Sequence, residues 1–303
     1  MKKGTLVISL VMLVTGICTG FAANRYKLYP QDFATSVRER IEATLGIQPE
    51  TLRFVPPSYF VSETKGRNRT ECPEKDPLVF LAIGQSNAAN FYASFGDEDD
   101  TKQAFQFSDG HCYFIMDPVL GATGDHGSLW TEFAQRLSVS SGQPVVFLVG
   151  GVGGSSVEQW VVAESPYYAR IKKQLALAED AGIAVDFIVW NQGEQDVAIA
   201  TPDDVYKVRL EQLFNRLNRE FRTDPAPRWI IFQSTICRDH PDGDPKLRAV
   251  QKYVAETWPG AIAGPDSDRL RHRYRYDGCH FNGRGKAKII DELEQIVLEA
   301  LRQ

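Results

Sequence analysis

Apolar residues along the chain fall into short unbroken runs separated by stretches of helical period. Leu78 to Ile83 is apolar throughout and includes Val79, Phe80 and Ile83, the pattern of a strand buried on both faces of a parallel sheet, and Gly84 ends it. Pro144 to Val149, Phe187 to Trp190 and Trp229 to Phe232 predict three more such strands. Helical patterns lie between and after them: from Gly127-Ser128-Leu129-Trp130 through about Ser138, from Ser165 to Gly182 with Pro166 in the first turn, from about Pro202 to Phe221, from Pro245 to Trp258, and from about Arg284 to Leu301. In the third of these, Val205, Val208, Leu210, Leu213 and Leu217 make the apolar face. Alternation of buried strands with amphipathic helices predicts an α/β domain, a doubly wound parallel sheet flanked by helices in three layers.

Phe91 to Gly127 shows no sustained period and reads as a long loop closing one wall of a site, ordered by Phe105, Phe107, Tyr113 and Phe114, with Asp97 to Asp100 solvated. His111 and His126 within it read as surface histidines. Ahead of the first strand, Met1-Lys2-Lys3 followed by the apolar stretch to Ala23 has the layout of a secretory signal, cut after Ala22 or Ala23, or of an anchor using residues 5–23. Cys18 lacks the preceding residues of a lipidated cysteine. On this reading residues 1–23 are signal peptide or membrane anchor. Residues 24–76 hold a short helix over Ala34–Gly46 and a proline-bearing surface connector, and residues 77–303 form the main domain, exported to the periplasm or beyond, or held on the outer face of the inner membrane. Asn68-Arg69-Thr70 fits the glycosylation acceptor pattern, a three-residue match of little weight.

Composition narrows the function classes. The chain is 43% hydrophobic and 24% charged with a net charge of −5, which gives no basic surface for nucleic acid. Beyond the leader stand Cys72, Cys112, Cys237 and Cys279, an even number that permits two disulfides in an exported chain and leaves the pairing open. None has the paired spacing of a zinc site, and no cofactor motif is present.

Candidate chemistry sits where the strands end. Gln85-Ser86-Asn87 follows the first strand, and Gly150-Gly151-Val152-Gly153-Gly154-Ser155-Ser156 follows the second, with Trp160 placed to cap it. Glycines there let backbone N–H groups approach a ligand. Asn191-Gln192-Gly193-Glu194-Gln195-Asp196 crowds polar residues at the end of the third strand, where they must satisfy one another or a ligand. Asp277 and His280, three residues apart before the last helix, can pair so that the carboxylate holds one imidazole nitrogen and the other faces a serine.

These four motifs, in this order, resemble the SGNH hydrolase superfamily, and within it the sialate O-acetylesterase-like branch, similar to carbohydrate acetylesterases that include acetylxylan esterases. The resemblance runs from about Leu78 to the C terminus. It implies a serine acetylesterase acting on an acetylated sugar or polysaccharide. It makes Ser86 the nucleophile, His280 the general base and acid, and Asp277 the orienting carboxylate. It implies an oxyanion hole of the Ser86 N–H, a backbone N–H at Gly153, with Gly154 as the alternative, and the Gln192 side-chain amide. Asn87 and Glu194 support the site, Glu194 bracing the loop or assisting His280 in place of Asp277. Asn191 departs from the branch, which often has an aromatic residue or histidine there, so the acyl pocket and the sugar stay open, as does the oligomeric state. Other readings are an exported polysaccharide O-acetyltransferase of the same fold and a non-catalytic carbohydrate-binding module. A lipase-like or peptidase role finds no apolar lid segment and no Gly-x-Ser-x-Gly elbow around Ser86.

Overall fold

The four apolar runs become neighbouring or near-neighbouring strands. A computed structural model describes residues 52–221 and 225–302 of the 303-residue sequence; the leader and the Ala34–Gly46 helix lie outside them. The strands are β1 (Arg69–Thr70), β2 (Leu78–Gly84), β3 (Ala104–Ser108), β4 (His111–Phe114), β5 (Val145–Val149), β6 (Phe187–Asn191), β7 (Arg228–Gln233) and β8 (Ala261–Asp266). They form one eight-stranded sheet in the order β1-β4-β3-β5-β2-β6-β7-β8. It is parallel from β3 across to β8, and β4 is antiparallel to both its neighbours. This is the expected doubly wound α/β architecture.

Helices α1 (Trp130–Ser141), α2 (Val157–Val161), α3 (Pro166–Asp180), α4 (Glu194–Ala198), α5 (Asp203–Asn218), α6 (Pro245–Thr257) and α7 (Gly283–Ala300) connect and cover the strands. Every residue of β2 is buried, and alternate side chains enter two separate apolar clusters. Val79, Leu81 and Ile83 pack with the α3 and α5 side, while Phe80 enters the α1 and α7 side. The Phe80 ring stacks between Phe147 of β5 at 4.9 Å and Phe187 of β6 at 5.0 Å, which locks the three central strands together.

Two elements differ from the sequence expectation. The segment read as a long loop contains the β3–β4 hairpin, turned at Asp109-Gly110 with positive φ at both residues (46° and 83°). A tight hairpin turn demands that conformation, and Asp-Gly supplies it. The region read as a surface connector sends Phe54 and Phe60 against Tyr167 of α3, at 5.1 and 6.4 Å between rings, and Val61 bonds with the 121–122 backbone. The cysteines pair as Cys72–Cys112, joining this region to β4, and Cys237–Cys279, joining the segment after β7 to the one before α7.

The chain runs from β2 out to β5 on one side and then to β6 on the other, so the sheet's switch point lies at β2. Register pairs Ala82 with Val149 and Gly84 with Asn191, bringing the C-terminal ends of β5, β2 and β6 to one edge. Open α/β sheets bind ligands in the crevice at such an edge.

Candidate active site

The turn after β2 is held from several directions. Gly84 has φ of 135°, and a Cβ there would lie 2.1 Å from the carbonyl oxygen of Asn191, so only glycine lets the strand end against β6. Residues Ser86–Ala88 then form a 3₁₀ turn. Its carbonyls accept hydrogen bonds from Asn191 Nδ2 (3.1 Å) and the Tyr92 hydroxyl (3.2 Å) at Asn87, and from Trp130 Nε1 (2.9 Å) at Ala88. Asn191 therefore ties β6 to the serine turn and is fully buried; it does not line the cavity. Ser86 itself is 5% exposed and lines a cavity of about 800 Å³. Its hydroxyl is neither bonded within the protein nor sealed from that cavity.

His280 lines the same cavity and arrives from the turn before α7. Asp277 Oδ1 accepts hydrogen bonds from the backbone N–H groups of Cys279 (3.0 Å) and His280 (2.7 Å), and Oδ2 lies 2.7 Å from His280 Nδ1. Nε2 is thus the ring nitrogen left for the cavity. Phe91 stacks on the imidazole at 5.2 Å, and the Cys237–Cys279 disulfide anchors the turn beside it. Burial works to raise the Asp277 pKa, but the His280 and Cys279 bonds outweigh it and hold the group at about 2. Burial draws His280 below the ordinary histidine value against the opposing pull of Asp277, and the charges of Arg238 and Arg275 add to the lowering. Arg238 reaches Asp277 Oδ2 at 3.5 Å from a largely exposed position on the cavity rim. Arg238→Gln should consequently raise the His280 pKa, followed by imidazole NMR, and added salt should produce part of that rise in the wild type. A downward shift in the variant would contradict the arrangement.

The glycine loop after β5 settles against the serine turn, where a Cβ on Gly151 would lie 2.4 Å from the Ala88 carbonyl oxygen. Trp160 Nε1 donates to Ser155 Oγ (3.0 Å), which donates to Gly84 O (3.3 Å), so the tryptophan does reach the loop. Here the expected oxyanion donors need correction. The Gly153 N–H is taken by Thr123 Oγ1 at 2.7 Å. Gly154, with φ of 67°, lines the cavity, and its N–H bonds to nothing in the protein. Gln192 is fully buried and outside the cavity lining. Its amide nitrogen donates to Ser155 O (3.0 Å) and Asp196 Oδ2 (2.5 Å), and its amide oxygen accepts from the Tyr206 hydroxyl (3.1 Å). Both amide protons are spent inside, so Gln192 stiffens the edge of the site and offers nothing to a ligand.

Glu194 also resolves. One carboxylate oxygen accepts from Asn87 Nδ2 (2.6 Å) and Ser234 Oγ (2.8 Å), and burial raises its pKa. It braces the serine turn through Asn87 while Asp277 holds His280. His111 lies in β4, and His126 pairs with the exposed Asp125; neither lines the cavity. Among the described residues no group of three or more His, Cys, Asp or Glu is arranged to hold a metal. Sequence reasoning missed Thr123, whose hydroxyl carries no motif, and the segment Val55, Ser58–Val61, which forms a cavity wall with Tyr59 and Phe60.

The arrangement combines an unbonded hydroxyl, a carboxylate-held imidazole and free N–H groups around one cavity, the parts needed for acyl transfer. A family model described as carbohydrate esterase, sialic acid-specific acetylesterase matches residues 115–299. The chain belongs to this family and is a carboxylic ester hydrolase. The match spans the glycine loop, the β6 edge and the Asp277–His280 turn, and begins after Ser86. Among solved structures, the fold is similar to that of an Arabidopsis thaliana protein, at 17% identity and a TM-score of 0.61, over 74% of this chain and 99% of that one. A carbohydrate acetylesterase from Xanthomonas citri aligns at 17% identity and TM-score 0.47 over 72% of this chain and 55% of that one. One from Sinorhizobium meliloti aligns at 11% identity and TM-score 0.47 over 74% and 99%. No curated protein matches the sequence.

Proposed function

We propose that the protein is a serine acetylesterase that removes acetyl groups from sugar hydroxyls through an acetyl-serine intermediate. The observation that carries the reading is the shared cavity of Ser86, with its unbonded hydroxyl, and His280, whose Nδ1 is held by Asp277. Ser86 Oγ attacks the acetyl carbonyl as His280 Nε2 takes its proton, and Asp277 stabilises the imidazolium that forms. The carbonyl oxygen, now an anion, receives the N–H groups of Ser86 and Gly154. His280 returns the proton to the departing sugar oxygen. Water, deprotonated by His280, then releases acetate and restores the serine. A depressed His280 pKa keeps the imidazole neutral, and so basic, at neutral pH.

The cavity walls suit a sugar as leaving group. Tyr59, 62% exposed, and Phe91 line it together with Arg238, Asp239 and His240, a mixture of apolar and polar groups that matches the two kinds of surface on a pyranose. Acetylated sialic acid or an acetylated polysaccharide is the proposed substrate. Two disulfides within the described residues support export, where such bonds persist.

Trapping tests the reading. A small alkyl phosphonate ester should inactivate the enzyme with one equivalent bound, and peptide mass spectrometry should place the adduct on Ser86. A turnover assay with acetyl ester and excess free sugar should yield acetate in preference to new sugar ester. An adduct elsewhere, or inactivation with none, would overturn Ser86 as nucleophile, and dominant sugar-ester formation would make the enzyme a transferase.

A further inference from the structure

With the Gln192 amide spent inside, two backbone donors face the developing oxyanion, and another side-chain amide lines the same cavity. Gln85, immediately before Ser86, is 3% exposed and lines the cavity. Its amide oxygen accepts the N–H of Gly193 (3.3 Å) and of Gln195 (3.0 Å), at the start of α4. Those two bonds fix the amide's orientation: oxygen toward the α4 start, nitrogen the other way. Nε2 then has no partner within the protein, and it is absent from the polar atoms that are sealed and unsatisfied, so its protons retain access to the cavity. Gly154 and Ser86 line the same cavity as this amide. A buried amide whose acceptor is saturated and whose two donors are unspent is built to receive an anionic or carbonyl oxygen.

We infer that Gln85 Nε2 is the side-chain donor to the substrate's carbonyl oxygen, completing with the Ser86 and Gly154 N–H groups the hole that Gln192 does not reach. This rests on the acetyl-serine reading above. In it Gln85 contacts the reacting oxygen and is catalytic, while Gln192 is a positioning residue. Its donor strengthens as charge develops on that oxygen, so the loss on removal falls on turnover and not on ground-state binding.

Two variants separate the donor from the brace. Gln85→Glu keeps an oxygen for the Gly193 and Gln195 N–H groups and deletes the donor; Gln85→Met is neutral and deletes both. Each is measured for thermal melting, kcat and KM on a small acetyl ester, beside wild type and Ser86→Ala. The expected result is a fall in kcat of about a hundredfold to a thousandfold in the folded variants with KM little changed. A folded variant of either kind that keeps wild-type kcat overturns the assignment, as does a loss confined to KM and melting temperature, which a purely structural brace would give. Should Ser86→Ala lose activity while the Gln85 variants keep theirs, only the Gln85 role falls. Should Ser86→Ala keep full activity, the acetyl-serine reading falls first.

Discussion

Ser86→Ala should fold as the wild type does and release acetate from acetylated sugars about a millionfold more slowly, the loss seen when a catalytic serine is removed from an acyl-transfer triad. The folding half of the prediction follows from the hydroxyl's surroundings. Ser86 Oγ makes no hydrogen bond within the protein, so its removal strands no buried partner, and the turn that carries it is held by Asn191, Tyr92 and Trp130 through backbone carbonyls. The activity half follows from the same fact in reverse, since the hydroxyl is left unspent for the cavity. Acetate release and thermal melting on the same preparation check both halves. Some rate above water should survive through the backbone donors and binding. A folded variant with full activity would show that Ser86 is not the nucleophile.

Much of the fold was legible because its central strands are buried on both faces and must be apolar throughout. Leu78–Ile83 and Pro144–Val149 announce themselves in that way. The β3–β4 hairpin did not, because Gln106 is buried within it, its amide satisfied by the N–H and carbonyl of Leu120, and a polar residue in mid-strand breaks the apolar run. Asp109-Gly110 was the signal available there. At the site, Ser86, Asp277 and His280 could be named from short local patterns, and the Asp277–His280 pair closes within four residues.

Side-chain destinations were a different matter. Gln85 and Gln192 are both glutamines at the ends of adjacent central strands, and nothing in the local sequence says which one faces the cavity. Tyr206 and Asp196 decide it by drawing the Gln192 amide inward, while the α4 backbone takes only the oxygen of Gln85. Gly153 and Gly154 likewise differ through Thr123, some thirty residues away in sequence, whose hydroxyl occupies one N–H and leaves the other. Loops that converge at a sheet edge select donors by tertiary hydrogen bonding, which a motif does not encode.

Asp277→Asn should lower turnover by about ten-thousandfold while leaving the position of the imidazole almost unchanged. Asparagine retains an oxygen to accept the Cys279 and His280 N–H groups, so the turn keeps its shape. The other atom becomes an amide N–H₂ facing His280 Nδ1, where the carboxylate oxygen stood at 2.7 Å. Nδ1 must then accept, the ring proton moves to Nε2, and the nitrogen that should take the Ser86 proton already carries one. Histidine NMR should show that tautomer exchange, and a variant with the wild-type tautomer and rate would remove Asp277 from the mechanism. Acid stability provides a second readout with a definite sign. Asp277 titrates at about 2 in the folded chain against an ordinary 3.8, so its ionised form favours folding fully above the unfolded value, and that contribution disappears as the pH falls toward the folded one. The asparagine variant has no such group to titrate, so its melting temperature should decline less than the wild type's through that window, while wild-type activity will already have fallen at higher pH as His280 takes up its proton.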